Sequence, residues 1–146
     1  MAASADRRCR VRRVIPASPE AVFRAWTEPD LIRRWSCPPG ATIRDSQVDL
    51  APGGSYRLVI EAEEGTLHTA FGVYREIRPP NRLVYTWDWR EPETAVGETL
   101  VTVEFVAGEA STEVILAHEG FPAAGAAEGH RLGWTWSLER LEALFG

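Results

Sequence analysis

Three histidines, two cysteines and an unusual number of aromatic side chains are the groups in this sequence that could do chemistry. His118 closes a run in which Thr112, Val114, Leu116 and His118 alternate, so strand parity turns its imidazole inward. An imidazole there can donate to a ligand carbonyl, act as a general base, or sit as a satisfied polar group at a rim. His68 falls in mid-strand and His130 near the start of the last helix, and no pair has the His-x-x-x-His spacing of a metal site. No metal and no cofactor are therefore expected. Cys9 and Cys37 have neither metal-ligand spacing nor a Cys-x-x-Cys partner, and they read as two small hydrophobes in a reducing cytoplasm. There is no Gly-x-Ser-x-Gly elbow, no phosphate-binding glycine loop and no obvious carboxylate pair. No catalytic residue is assigned, and whether the protein is an enzyme stays open.

The aromatic residues carry more information. Six tryptophans stand at 26, 35, 87, 89, 134 and 136, and such large rigid surfaces must pack on something or bind something. Tyr85, Trp87 and Trp89 share one strand face, and Val101, Val103 and Phe105 share a face of the next strand. The opposite faces carry Asp88, Thr102 and Glu104, so the aromatic face is read as inward. Trp134, Leu138, Leu141 and Phe145 fall at i, i+4, i+7 and i+11, one stripe of a long terminal helix. Ala126 and Ala127 leave room beside it. The candidate ligand site is thus Tyr85, Trp87, Trp89, Val101, Val103, Phe105, His118 and Trp134: apolar walls with a few placed polar groups. The competing reading is an ordinary core in which these rings fill the space. Trp136 points about 160° away from Trp134 and shares its face with Leu132. That pair either forms a self-association surface, and so a homodimer, or lies under the Cys37–Gly40 loop.

The elements that must position these groups can be read in order. Residues 1–8 are expected to fray, and residues 9–146 to form one domain. A strand runs from Cys9 to Ile15. Ser18-Pro19 starts a short helix to Thr27, and Pro29 opens a second to Trp35. From Ile43 the period changes to two. Six alternating segments follow, near residues 43–50, 56–60, 66–77, 83–89, 101–105 and 112–118, with a bulge expected at Gly72. Short turns between them argue an antiparallel meander with one buried face. The Ala- and Gly-rich stretch from Ala123 to Gly129 is expected to be a loop or a weak first turn of the terminal helix.

Charge narrows the partners. The net charge of −5 lacks the basic footprint of a nucleic-acid-binding domain. The one basic cluster, Arg7, Arg8, Arg10, Arg12 and Arg13, overlaps the first strand and reads as a solvated face. No run approaches the ~20 apolar residues of a membrane span, and the Arg-rich start has no apolar region after it. The partner expected is a small hydrophobic molecule, with no nucleic acid and no membrane.

This order of elements, with its motifs, resembles a known family over about residues 10–145. The motifs are Pro19-Glu20-Ala21-Val22-Phe23-Arg24-Ala25-Trp26-Thr27, the Leu31–Trp35 segment, Asp49-Leu50-Ala51-Pro52-Gly53-Gly54 and Gly72 with Glu76-Ile77. Pro80-Asn81-Arg82-Leu83-Val84 and Gly133-Trp134 with Leu138 and Leu141 complete the set. They are similar to the START-like (SRPBCC, helix-grip) superfamily, in the branch of homologues of the activator of the heat-shock-protein-90 ATPase. The resemblance implies an α+β fold: a curved seven-stranded antiparallel sheet wrapping a long C-terminal helix, with two short helices between strands 1 and 2. It also implies a cavity between sheet and helix. Three functions follow as expectations: non-covalent binding of a small hydrophobic or aromatic molecule, a cyclase- or hydrolase-like enzyme using the same cavity, or a protein-interaction module linked to chaperones and stress response.

Overall fold

The structure is a computed structural model that describes residues 7–146. The expected fraying of residues 1–6 lies outside the described residues. Arg8 already belongs to the first strand, β1 (Arg8–Ile15), where it pairs with Glu119, so order begins earlier than the sequence suggests. Two short helices follow, α1 (Pro19–Thr27) and α2 (Pro29–Ile32). Ser18 Oγ accepts from the Ala21 N–H at 3.2 Å, and Pro19 occupies the first turn, where its missing donor costs nothing. α2 is shorter than expected: beyond Ile32 the chain continues to Trp35 in turns.

Six strands then run as a meander: β2 (Thr42–Val48), β3 (Ser55–Glu61), β4 (Leu67–Arg78), β5 (Arg82–Trp89), β6 (Thr99–Gly108) and β7 (Ser111–Glu119). All pairings are antiparallel, in the order β1-β7-β6-β5-β4-β3-β2. The bulge in β4 falls between Tyr74 and Glu76, not at Gly72. Gly72 serves a different need, because a Cβ there would lie 2.0 Å from the Thr86 carbonyl oxygen. Only glycine lets the two strands approach so closely.

The last helix, α3 (Ala124–Phe145), already runs through the stretch expected to be a loop or a weak first turn. It lies over β1, and Arg13 of β1 reaches Glu142 at 2.6 Å. Both side chains are partly exposed, so this ion pair orients more than it stabilises. Trp134, Leu138 and Leu141 are buried from the expected stripe, against the inward face of the sheet. The result is an α+β helix-grip architecture with one main core.

The core is dense at one end. Phe105 of β6 meets Phe23 at 5.5 Å and Trp26 at 5.7 Å, both from α1. Trp35 packs tilted against Trp26, ring centroids 4.5 Å apart, and donates its indole N–H to the Ala25 carbonyl at 2.9 Å. α1 thus packs over β6 and β7, while α2 packs on the edge strand β2. Beyond them the sheet curls away from α3, and space opens.

Candidate functional site

That space is a cavity of about 410 Å³ between α3 and the sheet. β5 contributes Trp87 and Trp89, and β3 contributes Ile60. Ser36, Cys37 and Pro38 form a second wall, and Thr94 and Val96 a third. The last is held by Asp88, whose carboxylate accepts from the N–H groups of Trp89 at 2.7 Å and Val96 at 3.0 Å. α3 supplies Ala126, Gly129, His130, Gly133, Trp134 and Ser137, one face at helical spacing. A Cβ added at Gly129 or Gly133 would meet nothing within 4 Å. Gly129 is exposed and Trp89, His130 and Gly133 are half-buried, so this end reaches solvent. Trp87, Trp134 and Ser137 are buried and form the floor.

Beneath the floor lies a chamber of about 30 Å³, room for roughly one water. Trp87 and Trp134 line both spaces, with ring centroids 5.3 Å apart. Tyr85 lines the chamber, and its hydroxyl accepts from Trp26 Nε1 at 3.1 Å. The polar partner that a buried Tyr85 requires is therefore an indole of the core. Burial pushes the Tyr85 and Tyr74 hydroxyls well above their ordinary range, so both stay protonated.

Two histidines tie the tryptophans in place. Trp134 Nε1 donates to His118 Nδ1 at 3.0 Å, so that nitrogen carries no proton. His118 Nε2 then carries the proton and donates to Thr99 Oγ1 at 2.7 Å, while that hydroxyl donates to the Trp87 carbonyl at 2.5 Å. His118 is fully buried, and burial first, then the neighbouring His130, pushes its pKa down to about 2. At the cavity mouth the tautomer is reversed. His130 Nδ1 lies 2.8 Å from the Ala126 carbonyl, which can only accept, and Nε2 accepts from Trp89 Nε1 at 3.0 Å. Burial lowers the His130 pKa as well, against the opposing effect of the Ala126 carbonyl. Trp87 Nε1 is buried with no acceptor among the described groups, ringed by Trp89, Trp134 and His118.

The expected site residues separate into three places. Trp87, Trp89 and Trp134 line the cavity. Tyr85 lines only the small chamber. Val101, Val103 and Phe105 are buried on the expected inward face but line neither space, and Phe23 and Trp26 of α1 cover Phe105. His118 also lines neither. It stands behind Trp134 with both ring nitrogens engaged, which corrects its reading as the ligand-facing imidazole. The histidine at the cavity is His130. Its signal was available in the sequence, since Ala126, His130, Gly133, Trp134 and Ser137 share one helix face. Gly129 fell in the stretch expected as a loop or weak first turn, and Gly133 was noted only as part of the Gly133-Trp134 motif, not as a wall of the site. Leu132 and Trp136, the expected interface pair, are 40% and 42% exposed.

Cys37 is buried in the cavity wall, where Arg140 Nη1 approaches its sulfur at 3.0 Å and its carbonyl at 3.1 Å. Burial raises the thiol pKa and outweighs the guanidinium, so the group stays a thiol. Among the described residues no three His, Cys, Asp or Glu side chains gather to hold a metal ion. No described helix is long and apolar enough to cross a membrane.

A curved antiparallel sheet gripping a C-terminal helix over an aromatic cavity defines a helix-grip protein of the SRPBCC superfamily. Residues 16–146 match the model of the Activator of Hsp90 ATPase homolog 1-like proteins, and the chain belongs to that family. A Chromobacterium violaceum protein of solved structure is 29% identical, with a TM-score of 0.87 over 95% of this chain and 96% of that one. A Nitrosomonas europaea protein is 25% identical, with a TM-score of 0.80 over 95% and 94% of the two chains. The AHSA1 protein of Silicibacter pomeroyi, at 24% identity, shares the fold with a TM-score of 0.83 over 94% and 96%. None of the curated proteins matches this chain.

Proposed function

We propose that the protein binds a small apolar or aromatic molecule, without covalent chemistry, in the cavity between α3 and the sheet. The observation that carries this reading is the cavity itself. Its volume of about 410 Å³ falls within the range of small-molecule sites, and its walls are mostly aromatic and aliphatic. The helix glycines support it. Each glycine in a helix interior costs about 1 kcal/mol relative to alanine. Gly129 and Gly133 both face this space, and alanine would fit at either position without a clash. Packing alone gives no reason for them; room for a ligand does. Binding is favoured over proton transfer because all four imidazole nitrogens of His118 and His130 already have partners.

The test is a titration with the neutral fluorophore N-phenyl-1-naphthylamine, together with native mass spectrometry of the purified protein. Saturable fluorescence or a co-purified small molecule is expected. Gly133→Leu should abolish binding while leaving the fold intact, because leucine fills the cavity and is also the better helix former. Binding unaffected by Gly133→Leu would place the ligand elsewhere, and no binding by the natural protein would remove the reading.

A further inference from the structure

Three indoles line the cavity, and their N–H groups are treated differently. That of Trp134 is locked to the sealed His118. That of Trp87 is buried without an acceptor. Trp89 alone is half-buried at the mouth, and its N–H bonds to the equally half-buried His130. This bond joins a donor on the sheet to an acceptor on the helix, across the entrance to a mostly apolar space whose other polar side chains are the hydroxyls of Ser36, Thr94 and Ser137. The His130 tautomer is fixed from behind by the Ala126 carbonyl, so Nε2 keeps its lone pair facing Trp89. A hydroxyl inserted between them would accept from Trp89 Nε1 and donate to His130 Nε2. One bond across the mouth would become two to the ligand. An ether can fill only the accepting role, and a methyl group neither.

Charge restricts the ligand further. None of the described side chains lining the cavity is Asp, Glu, Lys or Arg, and His130 is held neutral by its surroundings. A carboxylate brought into this wall would lose its water, and the Arg140 guanidinium behind the wall is already engaged by Cys37 and Pro38.

Resting on the cavity-binding reading, we propose that Trp89 and His130 form a hydroxyl-reading gate, and that the ligand is a neutral apolar aromatic molecule bearing a phenol-type hydroxyl. Three probes of one shape test it by displacement of N-phenyl-1-naphthylamine: 1-naphthol, 1-methylnaphthalene and 1-naphthoate. The natural protein should bind 1-naphthol about tenfold more tightly than 1-methylnaphthalene, the worth of one net hydrogen bond, and 1-naphthoate more weakly than either. His130→Phe should equalise the first two, so that the ratio of the two affinities, not either affinity alone, is the readout. A second readout needs no variant: the 15N resonance of His130 Nε2 should shift with 1-naphthol and stay in place with 1-methylnaphthalene. Equal affinities in the natural protein, a preference that survives His130→Phe, or an unmoved His130 resonance would overturn the gate while leaving the cavity reading standing. Tight 1-naphthoate binding would overturn the neutral ligand class. Failure of both neutral probes to bind, by displacement and by calorimetry, would bring down the cavity reading and the gate with it.

Discussion

His118 should make the protein acid-sensitive by an amount that can be worked out beforehand. In the unfolded chain its imidazole takes up a proton near pH ~6.5. In the folded protein it cannot do so until about pH 2, because burial and His130 oppose the charge. Below pH ~6.5 the unfolded state therefore holds a proton that the folded state lacks, and the folded state loses stability as pH falls. The contribution is complete above pH ~6.5 and drains away towards about pH 2. Between about pH 7.5 and about pH 5, one such group removes about 2 kcal/mol. His118→Gln deletes it, and groups titrating in both proteins cancel in the comparison. Urea unfolding followed by tryptophan fluorescence at the two pH values should show the natural protein losing about 2 kcal/mol more than the variant. Parallel losses within about 0.5 kcal/mol would refute the reasoning. The imidazole would then be charging in the folded state, and the chain from Trp134 through His118 to Thr99 would not exist as described.

Other substitutions probe the same assembly. Trp134→Phe leaves His118 Nδ1 without its donor, whereas Trp87→Phe removes a donor that has no acceptor; in urea unfolding the former should cost about 1–2 kcal/mol more. Gly72→Ala places a Cβ 2.0 Å from the Thr86 carbonyl, and the strands must part, at a cost of about 2–3 kcal/mol in the same assay. Arg140→Ala releases the Cys37 and Pro38 carbonyls and loosens one cavity wall. N-phenyl-1-naphthylamine should then bind about fivefold more weakly, with stability changed by less than about 1.5 kcal/mol.

The fold was legible in the sequence because its signals are local and repeated. Ser18-Pro19 caps a helix from local signals alone, and alternation such as Thr112, Val114, Leu116, His118 marks a buried face that the structure shows. The site was only half legible, because a cavity is a property of what fails to meet. Parity correctly turned Val103 and Phe105 inward, but it carries no information on whether α1 reaches them. Likewise His118 was read from its strand alone. Its role is set by Trp134 from α3 and Thr99 from β6, 16 and 19 residues away. Gly129 lay in the stretch expected as a loop or weak first turn, whereas His130 and Gly133 were already on the expected helix and only their shared face went unread. The Ala- and Gly-rich composition that argued against a helix is the composition that makes room beside one.

The two tryptophan–histidine bonds also explain how a cavity can persist in a small domain. Empty apolar space invites collapse, since rings that approach one another gain dispersion contacts. Trp134 is held by His118, which Thr99 fixes in turn, and Trp89 is held by His130, which the Ala126 carbonyl fixes. Each indole is therefore pinned at its polar edge as well as along its face, and closing the space would break the part-buried bond of Trp89 or the buried bond of Trp134. Losing such a bond leaves a buried group unsatisfied and costs about 1–3 kcal/mol, comparable to what a moderate collapse would return. The walls are thus set apart before a ligand arrives, and little ordering cost remains for binding to meet. The two bonds differ in one respect that matters for function. The deeper one is sealed and serves the fold, while the outer one stands at the mouth, where a ligand can take its place.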